Sequence, residues 1–203
     1  MSRRRPPARV VVVAGPSGSG KSRVARRVGW PVLRLDDFYR EGGEPGLPML
    51  DAGLVDWDDP RSWDRDAACD AIERLCRDGH VDAPVYEIAA NARVGHREVD
   101  LAGSPMFVAE GIFAPYVVAS CRERGLLADA ICVRHHRVVT FVLRLVRDLR
   151  ERRKTPLVLL RRGWGLLHAE PRIVRDAESM GCRAMTPRRA EQRLRKLADA
   201  RTG

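Results

Sequence analysis

Eight consecutive residues, Gly15-Pro16-Ser17-Gly18-Ser19-Gly20-Lys21-Ser22, match the pattern G-x-x-x-x-G-K-[ST] at every fixed position. Glycines at this spacing let a backbone wrap closely around a phosphate with its N–H groups pointing inward. The N-terminus of a following helix adds partial positive charge. Lys21 is placed to reach the β- and γ-phosphates of a nucleotide, and the Ser22 hydroxyl to bind Mg²⁺. With glycine near 7% of residues, such a match arises by accident in on the order of one chain in a hundred. Here it directly follows an all-valine run and opens a helical pattern, the context that the motif requires. The loop implies a nucleotide but no particular reaction. A guanine-reading N-K-x-D motif is excluded, because Asn91 is the only asparagine and Ala92 follows it.

Other side chains have the chemistry to complete such a site. Asp36 ends an apolar run, at the kind of strand C-terminus where open α/β sheets place ligands. A carboxylate there can accept the proton of an attacking hydroxyl, or simply cap a loop. Asp37 follows it without such an assignment. Glu110 closes the apolar stretch PMFVAE, where a charge is costly unless it is paired, metal-bound or capping a helix. Arg144 and Arg147 are three apart on a basic helical pattern and share a face, so both can reach one phosphate chain or both can simply be solvated. Trp57, Tyr39 and Tyr86 are among few aromatics and are open to core packing as well as to stacking on a ligand. Asp58 can accept two hydroxyl hydrogen bonds. His135 and His136 have no third metal ligand in sight and read as structural.

These residues need elements to position them. Arg9 to Ala14 has the β-branched pattern of a buried parallel strand, and Lys21 to Val28 that of a helix. Val32 to Leu35 predicts a second strand. Glu41 to Asp59 is rich in Gly, Pro and Asp, hence loop. Asp64 to Asp78 has helical spacing, and Val81 to Asp100 is an excursion with short strands. Pro105 to Glu110 and Ala128 to Val133 are further strands, with Ala114 to Arg124 a helix between them. Arg137 to Arg153 is a basic helix. The tail from Pro156 to Ala200 is mostly helical, cut by Pro171 and Pro187. Strands alternating with helices imply a parallel sheet.

The chain has 203 residues, a length usual for one domain. A hydrophobic fraction of 44% with 32% charged residues suits a globular protein and excludes a disordered one. The net charge is +10, and only Lys21, Lys154 and Lys196 of the basic residues are lysines. The arginines are spread along the chain with no nucleic-acid signature, so arginine reads as the default surface cation and no specific nucleic acid is expected as a partner. The odd set Cys69, Cys76, Cys121, Cys132 and Cys182 forms no C-x-x-C pair, which points to free thiols in a reducing compartment. The apolar run after the N-terminal arginines is too short for a signal peptide. No stretch reaches the ~20 apolar residues of a membrane span. A cytoplasmic protein with no membrane partner is the expectation, with a homo-oligomer left open.

The motifs behind the phosphate loop resemble one family in order. Leu35-Asp36-Asp37-Phe38-Tyr39 is similar to the D-x-F-Y segment of the uridine kinase family, and Asp56-Trp57-Asp58-Asp59-Pro60 to its N-F-D-H-P segment. Pro84-Val85-Tyr86-Glu87 resembles P-x-Y-D, with Arg93 at the family's spacing. Phe107 to Ile112 resembles the V-x-x-E-G-I strand end. Arg144-Leu145-Val146-Arg147-Asp148-Leu149-Arg150-Glu151-Arg152 resembles the R-x-x-R-D-x-x-x-R lid. The resemblance covers about residues 9–156. Each later motif is weak alone, but five in order behind a P-loop point to the uridine kinase and phosphoribulokinase group.

The resemblance implies an α/β fold, the three-layer P-loop NTPase sandwich with a mostly parallel sheet and a helical lid. It is expected as a single domain over 1–203, with a core over about 9–135, a lid over about 137–165 and a helical tail over about 166–203. It implies ATP and Mg²⁺ as cofactors, with Gly15, Ser17, Gly18, Ser19, Gly20, Lys21 and Ser22 binding the nucleotide. Asp36 would be the base, and Lys21, Arg144, Arg147 and Arg152 would serve the transferring phosphoryl group. Ser22, Asp36 and Glu110 would hold the metal. Asp36, Tyr39, Trp57, Asp58, Tyr86, Asn91 and Arg93 would line the pocket of a nucleoside-like acceptor. Two positions depart from the family: Asn91 stands where a histidine is usual, and Arg153 where the lid has glycine. The activity implied is transfer of the ATP γ-phosphoryl to a hydroxyl, such as the 5′-hydroxyl of uridine or cytidine. A kinase for a sugar phosphate, pantothenate or a specialised nucleoside is the alternative, and an ATP-binding regulator a more distant one.

Overall fold

The computed structural model describes residues 7–16, 18–51, 53–134 and 171–199. Ser17, His135, His136, the basic helix expected over 137–153 and its Arg144, Arg147, Arg152 and Arg153 lie outside the described residues.

The all-valine run forms β1 (Arg9–Ala14) at the centre of a five-stranded sheet. Its neighbours are β5 (Met106–Glu110) and β6 (Leu127–Val133), with β2 (Val32–Arg34) and β7 (Arg183–Met185) at the edges; every pairing is parallel. Successive side chains of a strand face opposite sides. Val10 and Val12 therefore enter one core, and Val11 and Val13 the other. A strand covered on both faces can be apolar at every position.

Helices complete the three layers. On one face pack α2 (Arg65–Asp78), α3 (Val118–Glu123) and α4, described over 171–179; on the other, α1 (Lys21–Val28) and α5 (Pro187–Asp199). Helix α2 starts on an N-cap, Asp64, whose side chain accepts a 3.0 Å hydrogen bond from the Ala67 N–H.

Three expectations needed revision. The excursion over 81–100 is one antiparallel hairpin of two long strands, β3 (His80–Glu87) and β4 (Ala92–Asp100), which among the described residues is separate from the main sheet. The helix expected from Ala114 begins instead as a 3₁₀ turn, Ala114–Val117, with Pro115 in its first turn. In the tail, Pro187 opens α5 rather than cutting a helix, because proline lacks only the N–H that a first turn leaves unpaired. The tail also supplies β7. Buried Asp129 of β6 ion-pairs with Arg183 of β7 and Arg193 of α5, which pins this end of the chain to the sheet.

Candidate active site

The loop after β1 is built on backbone conformations that side chains disfavour. Gly15, Gly18 and Gly20 have φ of +140°, +84° and +92°. A Cβ on Gly15 would also stand 2.3 Å from the Val133 carbonyl oxygen. Gly20 caps α1, so the loop ends at a helix N-terminus with its unpaired N–H groups. Lys21 is only 8% exposed, and its Nζ lies 3.4 Å from the Pro16 carbonyl oxygen. The buried Ser19 hydroxyl has no partner among the described residues.

Parallel register brings Glu110 alongside this loop, since Val13 pairs with Glu110. The Ser22 hydroxyl donates to Glu110 Oε1 at 2.8 Å, while the buried Oε2 has no partner among the described residues. Burial raises the Glu110 pKa above the usual carboxylate range; Lys21 opposes the shift and the charge of Asp36 adds to it. A buried, half-satisfied carboxylate beside a hydroxyl and a second carboxylate suits a hard cation such as Mg²⁺. That ion takes one or two carboxylates and otherwise keeps water or phosphate oxygens. Among the described residues, no three His, Cys, Asp or Glu side chains form a metal cage, and the Ser22–Glu110–Asp36 set does not need one.

Asp36 begins where β2 ends, in the 3₁₀ turn Leu35–Phe38. Its Oδ1 accepts a 2.8 Å hydrogen bond from the Ile112 N–H. Gly111 makes this approach possible, because a Cβ there would lie 2.8 Å from Asp36 Oδ1 and 2.9 Å from Leu35 Cβ. Beneath, Trp63 Nε1 donates to the Leu35 carbonyl at 2.7 Å and steadies the turn.

Beyond Asp36 the structure gathers three of the aromatic candidates. Ring centroids lie 5.8 Å apart for Tyr39–Trp57, 5.5 Å for Tyr39–Tyr86 and 6.2 Å for Trp57–Tyr86. Phe113, which the sequence did not single out, packs on Tyr39 at 5.7 Å. The Tyr39 hydroxyl donates to the Trp57 carbonyl at 3.2 Å. Its pKa is pushed far up by burial, with the charges of Asp36 and Asp58 adding. Asp58 is exposed on this side. The Tyr86 hydroxyl is buried without a partner among the described residues.

The remaining candidates are placed less directly. Arg93 is engaged within the protein: its Nε donates to the Tyr39 carbonyl at 3.3 Å, and a terminal nitrogen lies 3.4 Å from the Asp64 carboxylate. Asn91 occupies the hairpin turn with φ of +48°, a conformation asparagine tolerates better than most residues. Its carbonyl accepts from the Gly42 N–H at 2.8 Å, and Gly42 lies between it and Trp57.

Residues 50–157, more than half of the chain, match the model of the Phosphoribulokinase / Uridine kinase family. The chain belongs to this family. Among its relatives, the uridine kinase of Deinococcus deserti is 33% identical over 154 residues, 72% of this chain and 72% of that protein. The uridine kinase of Geobacillus kaustophilus is 29% identical over 153 residues, 72% of this chain and 70% of that one. In fold, the chain is similar to the crystal structure of a Silicibacter sp. TM1040 kinase assigned to a fructose transport system. The TM-score is 0.61 at 17% identity, over 92% of this chain and 91% of that one. As a member of the phosphoribulokinase/uridine kinase family, the chain is a kinase with the P-loop α/β fold and its nucleotide-binding loop. Among the described residues, no helix of this kinase is long and apolar enough to cross a membrane.

Proposed function

We propose that this kinase transfers the γ-phosphoryl group of ATP to a ribose-like hydroxyl of a small, nucleoside-type acceptor. The observation that carries this is the place of Asp36. Its carboxylate is held by the Ile112 N–H, and its charge acts on Glu110 on one side and on Tyr39 on the other. A carboxylate between a phosphate loop and a set of rings is where the proton of an attacking hydroxyl has to go.

In this reading Gly15 to Ser22 cradle the phosphates and Lys21 neutralises the β- and γ-oxygens. Ser22, Glu110 and Asp36 hold Mg²⁺, which when bound offsets charge on the phosphate oxygens. Asp36 takes the proton of the acceptor hydroxyl, a role that contributes ~10²–10⁴ in rate. Tyr39, Trp57 and Tyr86 receive a planar base, Asp58 accepts sugar hydroxyls, and Asn91 and Arg93 border the pocket. Arg144, Arg147 and Arg152 stabilise the transferring group, an assignment that rests on resemblance alone. The single-domain organisation and a cytoplasmic location belong to the same proposal.

Asn91 in place of a histidine favours a shifted acceptor preference. A site built to hydrogen-bond one edge rejects others because its buried polar groups go unpaired, and an amide presents a different edge from an imidazole. Uridine is then a poorer substrate than the best acceptor. ATP consumption measured against nucleosides, sugar phosphates and pantothenate tests the reading. Turnover with a nucleoside supports it, and turnover only with a sugar phosphate or pantothenate replaces it with the second kinase reading.

A further inference from the structure

Asp37, beside the proposed base, has a site of its own. Its side chain is 4% exposed, whereas its two cationic partners are about half exposed. Oδ2 lies 3.6 Å from Arg34 Nε, at the end of β2, and 3.5 Å from a terminal nitrogen of Arg97, in the middle of β4. The backbone of Tyr86 approaches the same carboxylate. Tyr86 sits where the hairpin register breaks: Val85 pairs with Gly95 and Tyr86 with Arg93, which leaves Val94 unpaired and 60% exposed. Such bulges re-aim side chains beside active sites. One carboxylate thus meets the strand that leads into the Asp36 turn and the strand that carries Arg93, and lies beside the backbone of Tyr86.

We propose that Asp37 is a positioning residue that docks the β3–β4 hairpin onto the turn carrying Asp36, and so sets the gap between the acceptor rings and the base. The proposal rests on the kinase reading above in assigning those rings to the acceptor; the docking itself does not. Two observations favour docking over an incidental ion pair. A two-stranded hairpin is marginal by itself, and among the described residues this one belongs to no larger sheet. A buried carboxylate is also costly unless it is paired, and this one is 4% exposed between two arginines that are about half exposed. An aspartate free to face solvent would avoid that cost. Held here, it makes the hairpin's position depend on the turn.

The test uses Asp37→Asn, which keeps the shape but removes the charge facing Arg34 and Arg97. The partner variant, Arg97→Gln, changes a half-exposed residue and is expected to fold even if Asp37→Asn does not. In each variant the acceptor KM should rise about tenfold, with the ATP KM unchanged and kcat falling less than the KM rises. The double variant should be no worse than the poorer single one, since both remove one interaction. Hydrogen exchange of the 80–100 amides should quicken about tenfold while that of β1 and α1 stays the same. An unchanged acceptor KM with unchanged hairpin exchange overturns the proposal, as does an equal rise in both KM values with faster exchange throughout. If the wild-type protein turns over no nucleoside, sugar phosphate or pantothenate, the proposed acceptor reading fails, and hairpin exchange in Arg97→Gln alone decides whether Asp37 docks the hairpin.

Discussion

The Ser22 hydroxyl donates a 2.8 Å hydrogen bond to Glu110 across 88 residues of chain. This contact joins the first turn of α1 to the end of β5 and leaves one buried Glu110 oxygen without a partner among the described residues. The folded-state pKa of Glu110 is raised above its ordinary value of 4.5, chiefly by burial. The folded protein therefore holds this proton more tightly than the unfolded chain does. The associated stability is fully present below about 4.5 and is lost as pH rises through the raised value. Glu110→Gln, which can still accept from Ser22, should thus match or exceed the wild-type Tm at pH 7 in metal-free buffer, and should lose most of the Mg²⁺-dependent rise in Tm and the kinase activity. Calorimetry with and without Mg²⁺-ATP reads both effects; a drop of several degrees in metal-free buffer would contradict this account.

Gly111→Ala places a methyl group 2.8 Å from Asp36 Oδ1 and 2.9 Å from Leu35 Cβ. The Asp36 carboxylate must shift away from the Ile112 N–H. Overpacking of this kind costs ~1–3 kcal/mol in stability, and kcat should fall ~10²-fold while ATP affinity changes little. Asp36→Asn, which keeps the shape but cannot take the proton, should lose ~10²–10⁴ in kcat. If steady-state kinetics put either variant within a few-fold of wild type, Asp36 is not the base.

Gly15 and Lys21 separate folding from phosphate binding. Gly15→Ala meets both a φ of +140° and a carbonyl oxygen at 2.3 Å, so it should cost ~3 kcal/mol or more and yield little folded protein. Lys21→Ala should fold, bind ATP weakly and turn over none of it. Urea denaturation and an ATP-binding titration on the two proteins distinguish the roles.

Tyr86→Phe removes a buried hydroxyl that has no partner among the described residues. An unsatisfied group of this kind costs ~1–3 kcal/mol. The variant should be at least as stable as wild type by thermal melting. Its acceptor KM should nonetheless rise about tenfold if the hydroxyl's partner is the acceptor. A lower Tm with unchanged acceptor KM would make Tyr86 purely structural.

For the lid, Arg147→Ala should lower kcat by ~10³ or more, in line with other charge-stabilising arginines of phosphoryl transfer. Arg150→Ala, a position that the family pattern leaves free, should change it little. Equal losses in the two variants would mean that the motif does not distinguish Arg147 from its neighbours.

Features under the control of local chemistry could be read directly from the residues. The phosphate loop was legible because its glycines and Lys21 are needed within eight consecutive residues, and β1 because a strand covered on both faces reads as unbroken valine. Asp36 and Glu110 were legible as polar ends of apolar runs. The family motifs suggested that Tyr39, Trp57 and Tyr86 come together, but only the tertiary structure set their ring separations and brought Phe113 against Tyr39. It alone decided that Ser22 faces Glu110, that Gly111 leaves room for the Asp36 carboxylate, and that Arg93 is tied to Tyr39 and Asp64. The short edge strand β7 and the β3–β4 hairpin were likewise settled by pairing, which no window of local periodicity contains. Asp37 marks the boundary most clearly. In the sequence it is a second aspartate beside a more promising one, and its partners Tyr86 and Arg97 lie 49 and 60 residues further on. A strand ending, a bulge and a buried charge had to be brought together before it could be distinguished from any other loop carboxylate.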